Sequence, residues 1–303
     1  MKVKAAAKIN LALDVYDYKR PDGYHEIESI FQTVSIYDEV TVELIENRIE
    51  LTCEVPEKFA SSDPIPCDER NIAYKAAKRF IDENNLETGC RIHIKKGIPS
   101  QAGMGGGSTD AAAVLFCLNK LTGKTFSAPE KLGADVPFFL TGGTAYVSGI
   151  GEKIYKINDY SGKIIVIAKG KECVSTAKAY RLLDELREKY RRLYGDSAHI
   201  YYDKKYAPVC VKLMSDAIHN GKSASEYVRN SFEDAIHLDE VDDIKTKMMK
   251  CGAEASCMTG SGSAVFGIFA DAEKAQSCAE LLENDGYFSQ VCEPVSESFI
   301  IIE

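Results

Sequence analysis

The stretch Ile98-Pro99-Ser100-Gln101-Ala102-Gly103-Met104-Gly105-Gly106-Gly107-Ser108-Thr109-Asp110, followed by AAAVLFCLNK at 111–120, decides how this chain folds. RIHIK at 91–95 alternates as a strand does, so strand, glycine loop and helix succeed one another, and Gly123 closes the helix. Residues without a Cβ let backbone N–H groups crowd around an anion. The helix that follows aims its unsatisfied donors and the positive end of its dipole at the same spot. A phosphate fits such a cradle. A flexible turn ahead of a helix has the same composition, so the loop alone leaves both readings open.

Familiar loops of this kind do not match. Gly123-Lys124-Thr125 and Gly221-Lys222-Ser223 have Leu118 and Asp216 where a Walker loop needs its first glycine. A dinucleotide fingerprint begun at Gly103 or Gly105 meets Ser108 or Asp110 where its third glycine belongs. His25-Glu26 is followed by Ser29 where HExxH requires histidine.

Upstream of the loop, residues 3–14 alternate weakly, with Ala7, Ile9, Leu11 and Leu13 on one face and Lys8, Asn10 and Asp14 on the other, which predicts a half-buried strand. Pro21-Asp22-Gly23 reads as a tight turn that opens a new extended segment at Tyr24 and His25. DEVTVELIENRIELTCEV at 38–55 predicts a hairpin turning near Glu46-Asn47-Arg48, and Asn71–Ile81 has helical apolar spacing. Downstream, Ser127 and Glu130 stand in capping-box spacing, but Gly133-Ala134-Asp135-Val136-Pro137 cuts that helix short. GGTAYVSGIGEKIYKI then reads as strand, turn and strand. After about residue 160 the texture changes to KIIVIAK, amphipathic helices between about 176 and 250, and a closing strand, helix, strand order that ends at FIII.

The 303 residues suffice for two domains, each with its own core, and 45% apolar with 27% charged residues is ordinary globular composition. A net charge of −9 argues against broad nucleic-acid binding, so any phosphate must be met locally. No apolar run approaches the roughly 18 to 20 residues of a membrane span. The start MKVKAAAKINLALDV breaks its apolar run with Lys8 and Asp14, unlike an export signal, which predicts a cytoplasmic protein. Ten cysteines without a CxxC pair indicate neither a zinc site nor a disulfide framework.

Two charges stand out. Lys8 in AAAKINLAL sits where a lone ammonium needs a partner or a function, unless it faces water from an edge strand. Asp135 in GADVPFF leads into an apolar stretch, either as a turn or cap aspartate or as a proton acceptor kept ionised by a neighbouring ammonium. Tyr24 and His25 are either surface residues or the edge of a pocket.

Taken together, AKINLAL at 7–13, RPDGYHEIESIFQTVSIYDEV at 20–40, IPSQAGMGGGSTDAAA at 98–113, LGADVPFFLTGGTAYVSGIGEK at 132–153 and TGSGSAVFGIF at 259–269 resemble the GHMP kinase superfamily, in the right order along the chain. DGYHE is similar to the branch whose acceptor is a cytidine-diphosphate-linked methylerythritol of the non-mevalonate isoprenoid route. The resemblance implies an α+β, two-domain GHMP kinase-like fold with the active site in the interdomain cleft. Residues 1–159 would be the ATP-binding domain and 160–303 the substrate-binding domain. It implies ATP and Mg²⁺ as cofactors, with the metal ligands open, and small molecules as the only partners, without nucleic acid or membrane.

By the same resemblance Asp135 accepts the hydroxyl proton and Lys8 orients that hydroxyl. Pro99, Ser100, Gln101, Ala102, Gly103, Met104, Gly105, Gly106, Gly107, Ser108 and Thr109 hold the ATP phosphates, with Lys96 and Asn71 near the adenine. Asn10, Tyr24, His25, Thr176 and Tyr180 meet the cytidine-bearing acceptor, Tyr180 through its aromatic face. Another small alcohol as acceptor, or a nucleotide-binding relative without catalysis, are the alternatives. Two segments depart from the pattern. Phe126–Leu132 is shorter than the helix the family places before GADVP, and 181–230 is longer and more charged, which reads as a solvated helical face.

Overall fold

Two long strands carry the architecture. In a computed structural model that describes residues 1–57, 64–195 and 209–303, β1 (Lys2–Lys19) and β2 (His25–Ile45) pair antiparallel around the Pro21-Asp22-Gly23 turn. Gly23 takes a φ of +87° there, and Asp22 Oδ1 accepts the Tyr24 N–H at 3.2 Å. The far edge of β2 is shared. Its first part pairs with β5 (Thr144–Gly149) and its last part with β4 (Gly89–Lys95).

The anticipated hairpin at 38–55 does not form. β3 (Ile49–Glu54) pairs in parallel with β4, which lies between it and β2. The chain leaves β3, runs through helix α1 (Ile72–Glu83) and re-enters as β4 in the gap. Alternation identified both strands; it carries no information about which edges meet. Asn71 caps α1, its side chain accepting the Ala73 N–H at 2.9 Å. Ser127 and Glu130 cap no α-helix, since Pro129–Lys131 is a single 3₁₀ turn and the Ser127 N–H binds Glu83 Oε1 instead.

β1 is buried on both faces from Ala5 to Val15, not half-buried. Alternation from Ala7 holds as far as Leu11, but both faces are covered, and a second register shift between Asn10 and Ala12 sends Leu13 to a different core from Ala7, Ile9 and Leu11. An earlier slip lies between Ala6 and Ala7. Val3 and Ala5 pack into the core built with α1 and α2 (Gly106–Thr122), whereas Ala7, Ile9 and Leu11 pack against the second sheet. After the slip Lys8 and Asn10 occupy the opposite face, where the glycine loop lies.

Among the described residues the first sheet has eight strands, completed by β6 (Lys153–Lys156), β8 (Arg229–Asn230) and β12 (Phe299–Ile301). The last of these comes from the end of the chain and pairs with β1. The second sheet runs β11 (Phe288–Cys292), β7 (Ile164–Lys169), β10 (Val265–Phe269), β9 (Ala255–Met258), all antiparallel. Its Ile165, Ile167 and Phe266 face β1, while Val166, Ala168 and Val265 face helices α6 (Asp239–Lys250) and α7 (Ala272–Asn284). No described helix is long and apolar enough to cross a membrane, and all ten cysteines are unpaired.

Helix α4 (Thr176–Tyr194) is more than a solvated face. Arg187 is buried on it and donates to the carbonyls of Val15 and Tyr16, at 2.5 and 3.0 Å, tying the helix to the end of β1. Part of the charged segment expected as a solvated face, 196–208, lies outside the described residues. Helix α5 (Val209–His219) follows.

Candidate active site

A cleft of about 870 Å³ opens between the glycine loop, β1, the start of α4 and the Gly260–Gly262 turn. Its floor begins at Lys8. The side chain is 4% exposed, yet its Nζ is well provided for: it donates to Asn10 Oδ1 at 2.7 Å and lies 4.5 Å from the centre of the Phe31 ring. Asp135 Oδ2 stands 3.7 Å away. Burial pulls the Lys8 ammonium below the ordinary lysine range, and the carboxylate of Asp135 opposes that shift.

Asp135 occupies the cap position of the short helix α3 (Val136–Thr141), but its side chain caps nothing. It faces Lys8 instead, at a separation too long for a direct hydrogen bond. A hydroxyl oxygen between them can reach both. The short Phe126–Leu132 segment has therefore not displaced Asp135 from the ammonium.

Asn10 extends the network across the cleft. Its Nδ2 donates to Ser29 Oγ at 3.0 Å, its N–H to Thr259 Oγ1 at 3.0 Å, and Thr259 Oγ1 in turn reaches Asn10 Oδ1 at 3.3 Å. Lys8, Asn10 and the turn 150 residues past the glycine loop thus hold one another.

The glycine loop has the conformation a nest of N–H groups needs. Gln101, Gly103 and Gly105 take φ values of +51°, +72° and +72°, interleaved with ordinary residues. Gly105 is the cap of α2, and the first N–H groups of that 17-residue helix have no partner within it. Two close approaches exclude side chains. A Cβ on Gly105 would come within 2.7 Å of the Phe139 ring, and one on Gly103 within 2.1 Å of the Thr259 carbonyl oxygen. The Lys8 N–H donates to the Met104 carbonyl at 3.0 Å, so loop and ammonium are fixed to the same strand.

Residues 99–108 line the cleft, but Thr109 lies behind it, fully buried. Lys96 is at the cleft floor and is already engaged. Its Nζ contacts Asp38 Oδ2 and lies 2.8 Å from Asp110 Oδ2, with all three side chains buried. Asn71 lines the same end, its side chain fixed by the Ala73 N–H and the Pro66 carbonyl.

An aromatic wall stands at the other end. His25 stacks on Tyr180 with ring centres 5.5 Å apart and 12° between planes, and Tyr180 meets Phe232 edge-on at 4.9 Å. His25 Nδ1 lies 2.8 Å from the Tyr16 carbonyl, and its Nε2 is 3.0 Å from Asp184 Oδ1. Burial, with a further contribution from Asp135, pushes the Tyr180 phenol up to about 12, so it keeps its proton. Tyr24 borders this end but is largely exposed, and Thr176 Oγ1 is 3.0 Å from Ser261 Oγ, closing the rim.

Sequence reasoning passed over Phe232, Asp184, Ser261, Asp38 and Asp110. Asp184 was accessible from Tyr180, four positions earlier on the same helix face. Asp38 lies within the 20–40 stretch but carries no local mark. Phe232 sits in a 3₁₀ turn (Ser231–Asp234) with no periodic signal at all.

An anion nest, a buried ammonium and a facing carboxylate in a cleft beside a two-stranded spine define a small-molecule kinase, and the chain belongs to the GHMP kinase family. Residues 71–143 match the GHMP kinases N terminal domain and 213–287 the GHMP kinases C terminal domain. Among curated relatives, a 4-diphosphocytidyl-2-C-methyl-D-erythritol kinase of Clostridium botulinum is 40% identical over 295 residues, covering 93% of this chain and 96% of its own. The enzyme of that name from Clostridium novyi is 37% identical, covering 96% and 99%. A crystal structure of 4-(cytidine 5'-diphospho)-2C-methyl-D-erythritol kinase superposes with a TM-score of 0.76 at 29% identity, covering 97% of this chain and 98% of that one. The mevalonate kinase of L. major, at 16% identity and a TM-score of 0.70 over 98% and 97% of the two chains, shares the fold.

Proposed function

We propose that this protein transfers the γ-phosphoryl group of ATP to the 2-hydroxyl of 4-diphosphocytidyl-2-C-methyl-D-erythritol. The observation that carries this reading is the 3.7 Å separation of Lys8 Nζ and Asp135 Oδ2 at the foot of the glycine loop. Phosphoryl transfer asks a protein for positioning and for cover of charge, and little covalent chemistry. The acceptor hydroxyl donates its proton to the Asp135 carboxylate while its oxygen is held by the Lys8 ammonium. Asn10 fixes that ammonium from below, and the N–H groups of residues 103–108 hold the phosphates in line. Bringing both reactants into one cleft removes an entropic barrier that reaches about 7–11 kcal/mol in well-oriented systems.

The acceptor's base belongs at the aromatic wall. His25, Tyr180 and Phe232 offer flat apolar surface, and Asp184 holds His25 in place, which suits a pyrimidine better than an aliphatic alcohol. In this division residues 1–159 hold the nucleotide and 160–303 supply most of the acceptor's wall, with Asn10, Tyr24 and His25 contributed from the first part. Lys96 acts from beneath the nucleotide loop, and Asn71 from its adenine side.

Mg²⁺ is part of the proposal as an ion carried on phosphate oxygens. Among the described residues no group of three His, Cys, Asp or Glu side chains stands together, and Asp110 at the cleft floor is engaged by Lys96. ADP release measured with several acceptors tests the reading. It should depend on the cytidylated methylerythritol and be far slower with R-mevalonate, homoserine or galactose; a folded protein that releases no ADP with the cytidylated acceptor overturns it.

A further inference from the structure

Beneath the glycine loop lies a cluster with one carboxylate too many. Lys96 Nζ bridges Asp38 and Asp110, and the three residues are 5%, 0% and 5% exposed. Asp38 is fully occupied: besides the ammonium, its Oδ1 accepts the N–H groups of Gly97 and Ile98 at 2.7 and 2.8 Å, where the loop begins. Both of its oxygens therefore have partners. Asp110 differs. One oxygen faces Lys96, while the other, Oδ1, is buried with no hydrogen-bond partner among the described residues. With both acids ionised the cluster carries one net negative charge, out of water, in the opening turns of the helix that would receive phosphate.

This bears directly on nucleotide binding. Lys96 and Asp110 both border the cleft, and Lys96 Nζ lies 3.4 Å from where a Cβ on Gly106 would stand. Phosphates arriving at Gly105–Ser108 bring further negative charge beside an unsatisfied carboxylate oxygen. Two anions sharing a dry site are relieved when one of them takes a proton.

We propose that Asp38 and Asp110 are positioning residues acting through Lys96, and that Asp110 takes up one proton from solvent as the nucleotide's phosphates occupy the glycine loop. Asp38 ties the entry of the loop to β2, Lys96 ties it to α2, and Asp110 adjusts the charge beneath it. The carboxyl of Asp110 already lies well above the usual carboxylate range, chiefly through burial, with Lys96 pulling it down and Asp38 pushing it up. The other titratable group facing it is Cys53 on β3, next to Cys67. Burial pushes the Cys53 thiol up to about 12, so it stays neutral and competes for no proton.

The inference rests on the nucleotide site proposed above, and calorimetry separates the two. A non-hydrolysable ATP analogue is titrated into the protein from pH 6 to 9, in buffers of different ionisation enthalpy. The slope of measured against buffer enthalpy counts protons taken up. The wild type should take up as much as one more proton than Asp110→Asn at some pH in this range, with the nucleotide's own protonation common to both. Across that window the wild type's affinity should fall by up to tenfold per pH unit, while that of Asp110→Asn follows only the nucleotide. Equal proton counts in both proteins at every pH overturn the inference; absence of binding in the wild type overturns the nucleotide site itself. Should Asp110→Asn not fold, infrared difference spectra of the wild type decide. A protonated-carboxyl band that grows on nucleotide addition supports the inference, and none at any pH rejects it.

Discussion

Lys8 shows how a single side chain can be read from its surroundings. An ammonium in AAAKINLAL demanded a partner, and the structure supplies three: the amide of Asn10, the face of Phe31 and the carboxylate of Asp135. Its pH behaviour follows. Burial lowers the folded-state value from 10.5, so between that lowered value and 10.5 the unfolded chain binds more protons and stability rises with pH through the window. Activity responds the other way, because the neutral amine no longer covers charge. The profile of kcat/KM against pH should fall on the alkaline side with a midpoint below 10.5, and Lys8→Arg, always protonated, should abolish that limb at reduced kcat. Phe232 marks what local sequence could not reveal, since its edge-on contact with Tyr180 joins residues on separate elements. Removing it with Phe232→Ala should raise KM for the cytidylated acceptor by about two- to tenfold, the worth of one aromatic pair, with kcat and the KM for ATP little changed.

At the scale of elements, the strand, glycine loop and helix at 89–122 could be anticipated because each part has a local cause: alternation in β4, freedom of φ at Gly103 and Gly105, and apolar spacing with a left-handed Gly123 cap in α2. β2 and β3 were visible as strands, but their pairing was not. The separation of the two by β4 is decided by the α1 crossover, and hydrogen bonding between edges leaves no pattern in sequence. The slip between Ala6 and Ala7 is similar: it turns Lys8 and Asn10 towards the cleft without any residue that announces a bulge. One element couples loop and acid. Phe139, on the helix α3 that Asp135 precedes as its cap residue, fills the space beside Gly105, whose φ is +72°. Gly105→Ala should therefore cost about 1–3 kcal/mol in a denaturant titration through backbone strain and displacement of the ring. It should also weaken nucleotide binding and slow turnover together, because both the nest and Asp135 move.

For the molecule as a whole, the two sheets share β1 as their common wall, and the site lies where that strand passes between the glycine loop and the Thr259–Gly262 turn. The residues of the site come from positions as distant as Asn10 and Thr259, joined by hydrogen bonds of 3.0 and 3.3 Å. Ordered motifs along the chain pointed to that convergence by resemblance. Its geometry, the engagement of Lys96 by two acids and the His25–Asp184 contact follow only from packing. The central claim is that Asp135 takes the acceptor's proton beside Lys8. It is tested most directly by turnover of Asp135→Asn with ATP and the cytidylated methylerythritol, alongside its nucleotide affinity. The amide keeps the shape and loses the basicity, so kcat should fall by roughly 10²- to 10⁴-fold with nucleotide binding nearly unchanged. Turnover equal to that of the unaltered protein would contradict the account.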